Sequence, residues 1–409
     1  MDAYLDHAAT GPMRPEAIEA MLPFLGDRFA NPSGAHRLAR DARRAIDEAR
    51  DEIAELVGAS PGEIVFTSGG TESDNLAVFG AGRAAAGPAV TAGPADDVAR
   101  FGRAVCSAIE HHAVLDVITE LDGATIPVDE FGRLDLSALS ALLLEEADRV
   151  AAGTGPGVRL VSVMAVNNEV GTFQPLDDVA RIMKRHAPGA VLHTDAVQAF
   201  CWTDVAVSCK SADLLSMSAH KFGGPKGIGL LVAREGVAIN ARQVGGGQER
   251  DRRSGTQNVA GIVAMAVAAR LTAAHRESEI ARLGALRDRL LDGLLQLVPD
   301  AIETAAVSST GVADRTDRAA GIAHICFPQV ESEALLFLLE RGEIYASAAS
   351  SCASGAMEES HVLAAIGVDP SIAKGSLRLS LGWSTTESDI DQALAVIPPA
   401  VERLRTFGI

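Results

Sequence analysis

Basic residues are scarce in this 409-residue chain. Only 36 Lys and Arg stand against 54 Asp and Glu, a formal net charge of −18, and only five of the cations are lysines: Lys184, Lys210, Lys221, Lys226 and Lys374. A nucleic-acid partner needs a basic footprint that displaces counterions from phosphates. None is present, so direct nucleic-acid binding is excluded. Long apolar runs are missing as well: none approaches the roughly 20 residues that span a bilayer. The start, Met1-Asp2-Ala3-Tyr4-Leu5-Asp6, is acidic where a secretory leader is basic. These absences predict a cytoplasmic protein with no membrane partner. The five cysteines, Cys106, Cys201, Cys209, Cys326 and Cys352, form no C-x-x-C pair and no metal spacing, so reduced thiols are expected. What the chain does have is apolar mass. With 47% hydrophobic residues it can bury a large core, and its length allows two or three domains.

Apolar and polar periods alternate as strands and helices do. Leu38, Ala42, Ala45, Ile46, Ala49, Ile53, Leu56 and Val57 recur at three- and four-residue steps, which predicts an amphipathic helix over 36–57 ending at Gly58. A short apolar strand, 63–67, then runs through Ser68-Gly69-Gly70-Thr71-Glu72 into a helix over 73–82. Further strands are expected over 159–165, 190–194, 214–217 and 228–233, with a helix over 176–186. This alternation implies α/β architecture, a mostly parallel sheet flanked by helices. Residues 82–102 and 145–157, rich in Ala, Gly and Pro or passing into them, read as loops. Past Gly261 an alanine-rich helix and then a separate arginine-bearing helix over 278–297 suggest a second, smaller α+β domain. The expected division is a large domain, 12–260, and a small one built from 1–11 and 261–409.

One lysine has telling neighbours. Lys221 lies in Ser218-Ala219-His220-Lys221, after a strand and before Phe222-Gly223-Gly224-Pro225, the setting in which a protein holds a phosphorylated aldehyde as a Schiff base. Pyridoxal 5′-phosphate needs that lysine, a carboxylate for its pyridine nitrogen, a ring clamp and a phosphate cup. Asp195 ends the strand of Val191-Leu192-His193-Thr194-Asp195, at the sheet edge where open α/β folds bind ligands. Alone it reads as a helix N-cap. Beside Lys221 it becomes the pyridine partner, with Gln198 in reach of the ring hydroxyl. Gly69, Gly70 and Thr71 open a helix and offer backbone donors to an anion, joined by Ser218 and His220; an ordinary turn has the same composition. In Glu110-His111-His112 an imidazole can stack on the ring and exchange protons.

At this point the chain resembles the cysteine desulfurases of the NifS/IscS type, within the class V aminotransferase group of fold type I pyridoxal-phosphate enzymes. The stretches that carry the resemblance are YLDHAAT from Tyr4, FTSGGTESDN from Phe66, EHHAV from Glu110, NNEVGT from Asn167, HTDAVQ from His193, SAHKFGGPKGIG from Ser218, GGGQERDRRSGTQN from Gly245 and SLRLSLGWSTTESDID from Ser376. They lie in the family's order over nearly the whole chain. The resemblance implies Lys221 as the cofactor lysine, Asp195 on the pyridine nitrogen, Gln198 on the ring oxygen and His111 over the ring. Gly70, Thr71, Ser218 and His220 would hold the phosphate, with Thr256 reaching in from the other subunit of a homodimer. Asn168 and Arg378 would grip the substrate carboxylate, a task suited to the two-pronged guanidinium.

Cys352, in the small-residue run 346–355, corresponds to the family's sulfur acceptor. The implied reaction converts L-cysteine to L-alanine, with His111 and Lys221 moving protons and Cys352 taking the sulfur as a persulfide. The sulfur would then pass to acceptor proteins of iron–sulfur cluster assembly or tRNA thiolation. A selenocysteine lyase or a class V aminotransferase of the kynureninase kind would use the same cofactor cage.

Overall fold

The computed structural model describes residues 2–84, 102–306, 314–348 and 360–407. Cys352 and most of the 82–102 segment lie outside the described residues. The central feature is a seven-stranded sheet in the order β2-β8-β7-β6-β5-β3-β4. Its strands are β2 (Ile64–Thr67), β3 (Arg103–Ser107), β4 (Ala124–Ile126), β5 (Val158–Ser162), β6 (Val191–Asp195), β7 (Leu214–Ser218) and β8 (Gly229–Ala233). Only β8 runs against its neighbours. β7 and β8 are buried along their whole length, as expected of strands covered on both faces.

The helices packed against this sheet include α1 (Pro15–Leu25), α2 (Arg37–Leu56), α3 (Gly70–Ala84), α4 (His112–Glu120), α5 (Leu136–Ala151) and α6 (Leu176–His186). α2 matches its periodicity, and its apolar residues Ile46, Ala49, Ile53 and Ala54 join the main core. Three expectations are corrected. α3 begins at Gly70 rather than Ser73, so Gly70 and Thr71 belong to its first turn. Residues 145–151 are helical: Asp135 caps α5 by accepting from Ser137 and Ala138 N–H, and buried Glu146 pairs with Arg103 and Arg149. That ion-pair partner, distant in sequence, is what turns an apparent loop into helix.

The third correction concerns the two helices expected beyond Gly261. They are one 39-residue helix, α7 (Val259–Leu297). Its first half packs Ile262, Met265 and Ala269 into the core of the large sheet, while Leu283, Leu290 and Leu294 enter a second core. By length and composition α7 could cross a membrane, although half of its most apolar stretch is buried inside the fold. The second core lies under an antiparallel sheet, β12-β10-β9, formed by β9 (Ile302–Glu303), β10 (Ile322–Cys326) and β12 (Ser376–Ser380). The N-terminal β1 (Ala3–Tyr4) pairs in parallel with β11 (Ile344–Tyr345), which delivers residues 5–10 to the carboxyl edge of the large sheet. Around this sheet pack α8 (Ser332–Arg341) and α10 (Glu387–Phe407), while the short α9 (His361–Ala365) docks elsewhere, on Ile109, Met164 and Val170.

Candidate active site

At the carboxyl edge of the parallel strands lies a cavity of about 370 Å³, the place where open α/β sheets bind ligands. Gly70, Thr71, His111, Asn168, Asp195, Gln198, Ser218, His220, Lys221 and Arg378 all line it. Residues up to 308 positions apart in the chain thus converge on one space, 70 through 378. Thr256 does not join them: it is exposed and sits beside Phe66, Thr67 and Arg253 in a separate cleft.

Lys221 ends the short helical turn after β7. Its Nζ donates to the carbonyls of Ala8 at 2.5 Å and Ala9 at 2.8 Å. Burial, and then the Arg378 charge, bring its pKa down to about 8. An amine so placed is about one-fifth neutral at pH 7.4, far more than an ordinary lysine, and the neutral form is the one that attacks a carbonyl. Its reactivity can be read without cofactor: reductive methylation of the apoprotein with formaldehyde should modify Lys221 with a midpoint near pH 8. A midpoint at the ordinary lysine value of about 10.4 would contradict this environment.

Asp195 closes β6 and accepts from Val197 N–H at 2.8 Å. Burial raises its carboxyl to about 6, while that hydrogen bond and Lys221 favour the anion. Buried charge of this kind needs a cation or donor opposite. Gln198 donates one N–H to the Ala8 carbonyl at 2.7 Å, leaving its second N–H uncommitted. His111 caps α4 by accepting from Ala113 N–H through Nδ1 at 3.0 Å, which leaves Nε2 to carry the proton of the neutral ring. Burial first, then Lys221 and His112, hold this imidazole below its usual pKa. His220 contacts the Thr10 hydroxyl at 3.2 Å, and burial brings it down to about 4.

Arg378, on β12, donates to the Asn168 carbonyl and to Asp6, both at 3.0 Å. Its Nε is buried with no acceptor among the described residues. A carboxylate entering the cavity therefore meets a guanidinium already held in place but not saturated. Several groups here were not singled out from the sequence. Asp74 is buried at the cavity wall, its Oδ1 3.6 Å from His193 Nε2, and burial together with Asp195 raises its carboxyl well above the usual range. His193 bridges the hydroxyls of Ser162 and Ser216. Asp6 and the Ala8 and Ala9 carbonyls lie in YLDHAAT, and Asp74 in FTSGGTESDN, so the signal was their presence in stretches already marked.

These residues fit pyridoxal 5′-phosphate. A Cβ on Gly70 would come within 2.7 Å of Val197 Cγ2, so glycine lets the first turn of α3 press against the ring-side loop. The Ser218 hydroxyl lies beside Gly69. Amide donors of that turn with the Thr71 and Ser218 hydroxyls make an anion cup. Opposite it stand a carboxylate for a protonated ring nitrogen and a deprotonable lysine.

Of the cysteines among the described residues, Cys106, Cys209 and Cys326 are buried and Cys201 is partly so. Burial pushes the Cys201 and Cys209 thiols up to about 11 and Cys326 to about 12, and raises Cys106 further still. None of them lines the cavity. Cys352 is the remaining thiol, four residues after Ala348 in the chain; its neighbour Ser347 lines the cavity and exchanges backbone hydrogen bonds with Arg378.

The fold and the cavity together define an α/β enzyme of the class that anchors an aldehyde cofactor on lysine. The model of the class-V aminotransferases matches residues 3–393. Over 413 residues the chain is 42% identical to an IscS-like cysteine desulfurase of Mycobacterium tuberculosis, covering 100% of this chain and 98% of the relative. It is 39% identical to a cysteine desulfurase IscS of Methanosarcina thermophila, over 99% of this chain and 93% of that one. Among solved structures, a NifS-like protein superposes with a TM-score of 0.84 at 33% identity, covering 98% and 100% of the two chains. The chain belongs to the class-V aminotransferase family, whose members work with pyridoxal 5′-phosphate.

Proposed function

We propose that this protein is a pyridoxal-phosphate-dependent cysteine desulfurase that converts L-cysteine to L-alanine and keeps the sulfur as a persulfide on Cys352. The observation that carries this reading is the convergence of Lys221, Asp195, His111 and Arg378 on one cavity, to which the segment leading to Cys352 is fastened through Ser347. A second support is a solved structure titled SspA in complex with cysteine, similar to this chain at a TM-score of 0.71 and 29% identity.

When bound, the cofactor supplies an electron sink for the pair left at the substrate Cα. Asp195 keeps its ring nitrogen protonated, Gln198 donates to its ring oxygen, and Thr71, Ser218 and His220 hold its phosphate. Arg378 and Asn168 orient the substrate carboxylate. Lys221, released once substrate is bound, takes the Cα proton; its depressed basicity keeps enough free amine for that at neutral pH. Cys352 as thiolate attacks the substrate sulfur, the S–S bond forms as the Cβ–S bond breaks, and the pair of that bond stays with Cβ, which takes a proton to become the methyl of alanine. His111 and Lys221 are placed to return the protons that complete alanine.

The persulfide is then handed to a sulfur-acceptor protein, of a cluster-assembly or tRNA-thiolation type, in the cytoplasm. Thr256 serves the phosphate of a second copy, in a homodimer whose sites each draw on both chains. Its exposure, away from its own chain's cavity, supports that reading. Incubation with L-cysteine followed by intact-mass and peptide analysis tests the function. A gain of one sulfur atom on Cys352 with release of alanine is expected; keto-acid formation without added sulfur would point to a transaminase.

A further inference from the structure

The turn Asn167-Asn168-Glu169-Val170 is unusually well fastened. Asn167, fully buried, accepts from the N–H groups of Glu169 and Val170 and donates to the Ile109 carbonyl at 3.1 Å. Asn168 faces the cavity and gives its carbonyl to Arg378. Glu169 points the other way: only 5% exposed, it accepts a 2.5 Å hydrogen bond from the Ser360 hydroxyl. Ser360 is itself buried, and its hydroxyl oxygen caps α9 by accepting from Leu363 N–H at 3.2 Å. The next residue, His361, contacts the Glu110 carbonyl at 2.9 Å through Nε2, and its ring meets His112 edge-on at 4.9 Å. Val362, Leu363 and Ile366 complete the joint against Ile109, Met164 and Val170.

Ser360 stands eight residues after Cys352 in the chain. Its anchor is thus the turn that presents Asn168 to the cavity, with His361 on the turn that presents His111. None of the steps above uses Glu169. Resting on the desulfurase reading, we propose that Glu169 is a positioning residue: by holding Ser360, eight residues after Cys352 in sequence, against the substrate-binding turn, it sets the rate of sulfur transfer without touching substrate or cofactor.

A structural carboxylate at such a site would usually be paired with a cation. Here the groups facing Glu169 are Ser360 from α9, Arg378 from β12 and His112 from α4, while Arg318 donates to the neighbouring Val170 carbonyl. Arg378 is itself engaged with Asp6. Burial accordingly lifts the Glu169 carboxyl to about 7, against the pull of Ser360 and Arg378. The anion that binds Ser360 most strongly therefore forms as pH rises through neutrality, and the link to Ser360 weakens below it. The sign for stability is opposite. An acid whose folded pKa lies above its unfolded value, about 4.3, costs stability progressively as pH rises between that value and 7, so removing the charge at pH 8 does not lower the melting point.

The test is single-turnover persulfide formation with L-cysteine, followed by intact mass, in the cofactor-loaded wild type, Glu169→Gln and Ser360→Ala. Cofactor absorbance and the spectral change on binding cysteine are recorded alongside. Both variants are expected to bind cofactor and cysteine as the wild type does and to form persulfide about 10-fold more slowly, the penalty of a misplaced reacting group. Both proteins share the limb set by Lys221, so the ratio of the wild-type to the Glu169→Gln rate should fall from about 10 toward 1 as pH drops through 7. Melting of Glu169→Gln at pH 8 no lower than wild type shows that it is folded. Persulfide formation at the wild-type rate in both variants overturns the proposal alone, as does a wild-type to Glu169→Gln rate ratio that stays constant through pH 7. Absence of persulfide in the wild type sinks the desulfurase reading first.

Discussion

Lys221→Ala protein is expected to release no sulfur from L-cysteine, a fall of about 10⁴-fold or more, because both the covalent attachment and the proton-transferring amine go with one side chain. Borohydride reduction of the wild type with pyridoxal phosphate should fix the cofactor at residue 221, and the variant should show no such adduct. Loss of folding is not the explanation to expect. The folded pKa of Lys221, about 8, lies below the unfolded value, so the native state pays a penalty that is fully present below pH 8 and relieved as pH rises toward about 10.4. Alanine removes that penalty along with the hydrogen bonds to Ala8 and Ala9. The melting point of the apo variant at pH 7 should accordingly be no lower than that of apo wild type. Sulfur release by the variant at more than a few per cent of the wild-type rate would remove Lys221 from the mechanism.

Cys352→Ala should behave differently, and the contrast separates the two halves of the reaction. The variant is expected to keep the yellow cofactor band and the spectral response to cysteine, because no described wall of the cavity depends on that residue. It should nevertheless form no persulfide. Rescue by another cysteine is closed by burial. With thiols pushed to about 11, Cys201 and Cys209 hold roughly one thiolate in 3,000 at pH 7.5, and Cys106 and Cys326 hold fewer still. The same contrast predicts selective alkylation: iodoacetamide at neutral pH should label Cys352 in the native wild type and leave the folded variant unlabelled. Persulfide on any other cysteine, at a comparable rate, would discard Cys352 as the nucleophile.

Much of the cavity was legible in the chain because its parts occupy strand ends and glycine turns, which announce themselves locally. Asp195 follows a run of strand residues, Lys221 follows another, and Gly69-Gly70-Thr71 sits between a strand and a helix. Asp74 was not legible as a site residue. On the surface of an isolated α3 it would be an ordinary helical carboxylate; only the packing of that helix over β6 and β7 buries it. The same reason explains α5, whose acidic end reads as loop until Glu146 meets Arg103. It also explains α7, read as two helices because its apolar face changes partner midway, from one core to the other.

By itself the order of residues determined the α/β class, since local periodicity is a short-range property, and through its resemblance to a known family it pointed to Lys221, Asp195, His111 and Arg378 as the residues to look for. Tertiary structure alone decided their environment. The depressed Lys221, the raised Asp195 and Glu169, and the joining of Glu169 to Ser360 across 191 positions all follow from burial and from Coulomb interactions, which depend on distance in space and are blind to distance along the chain.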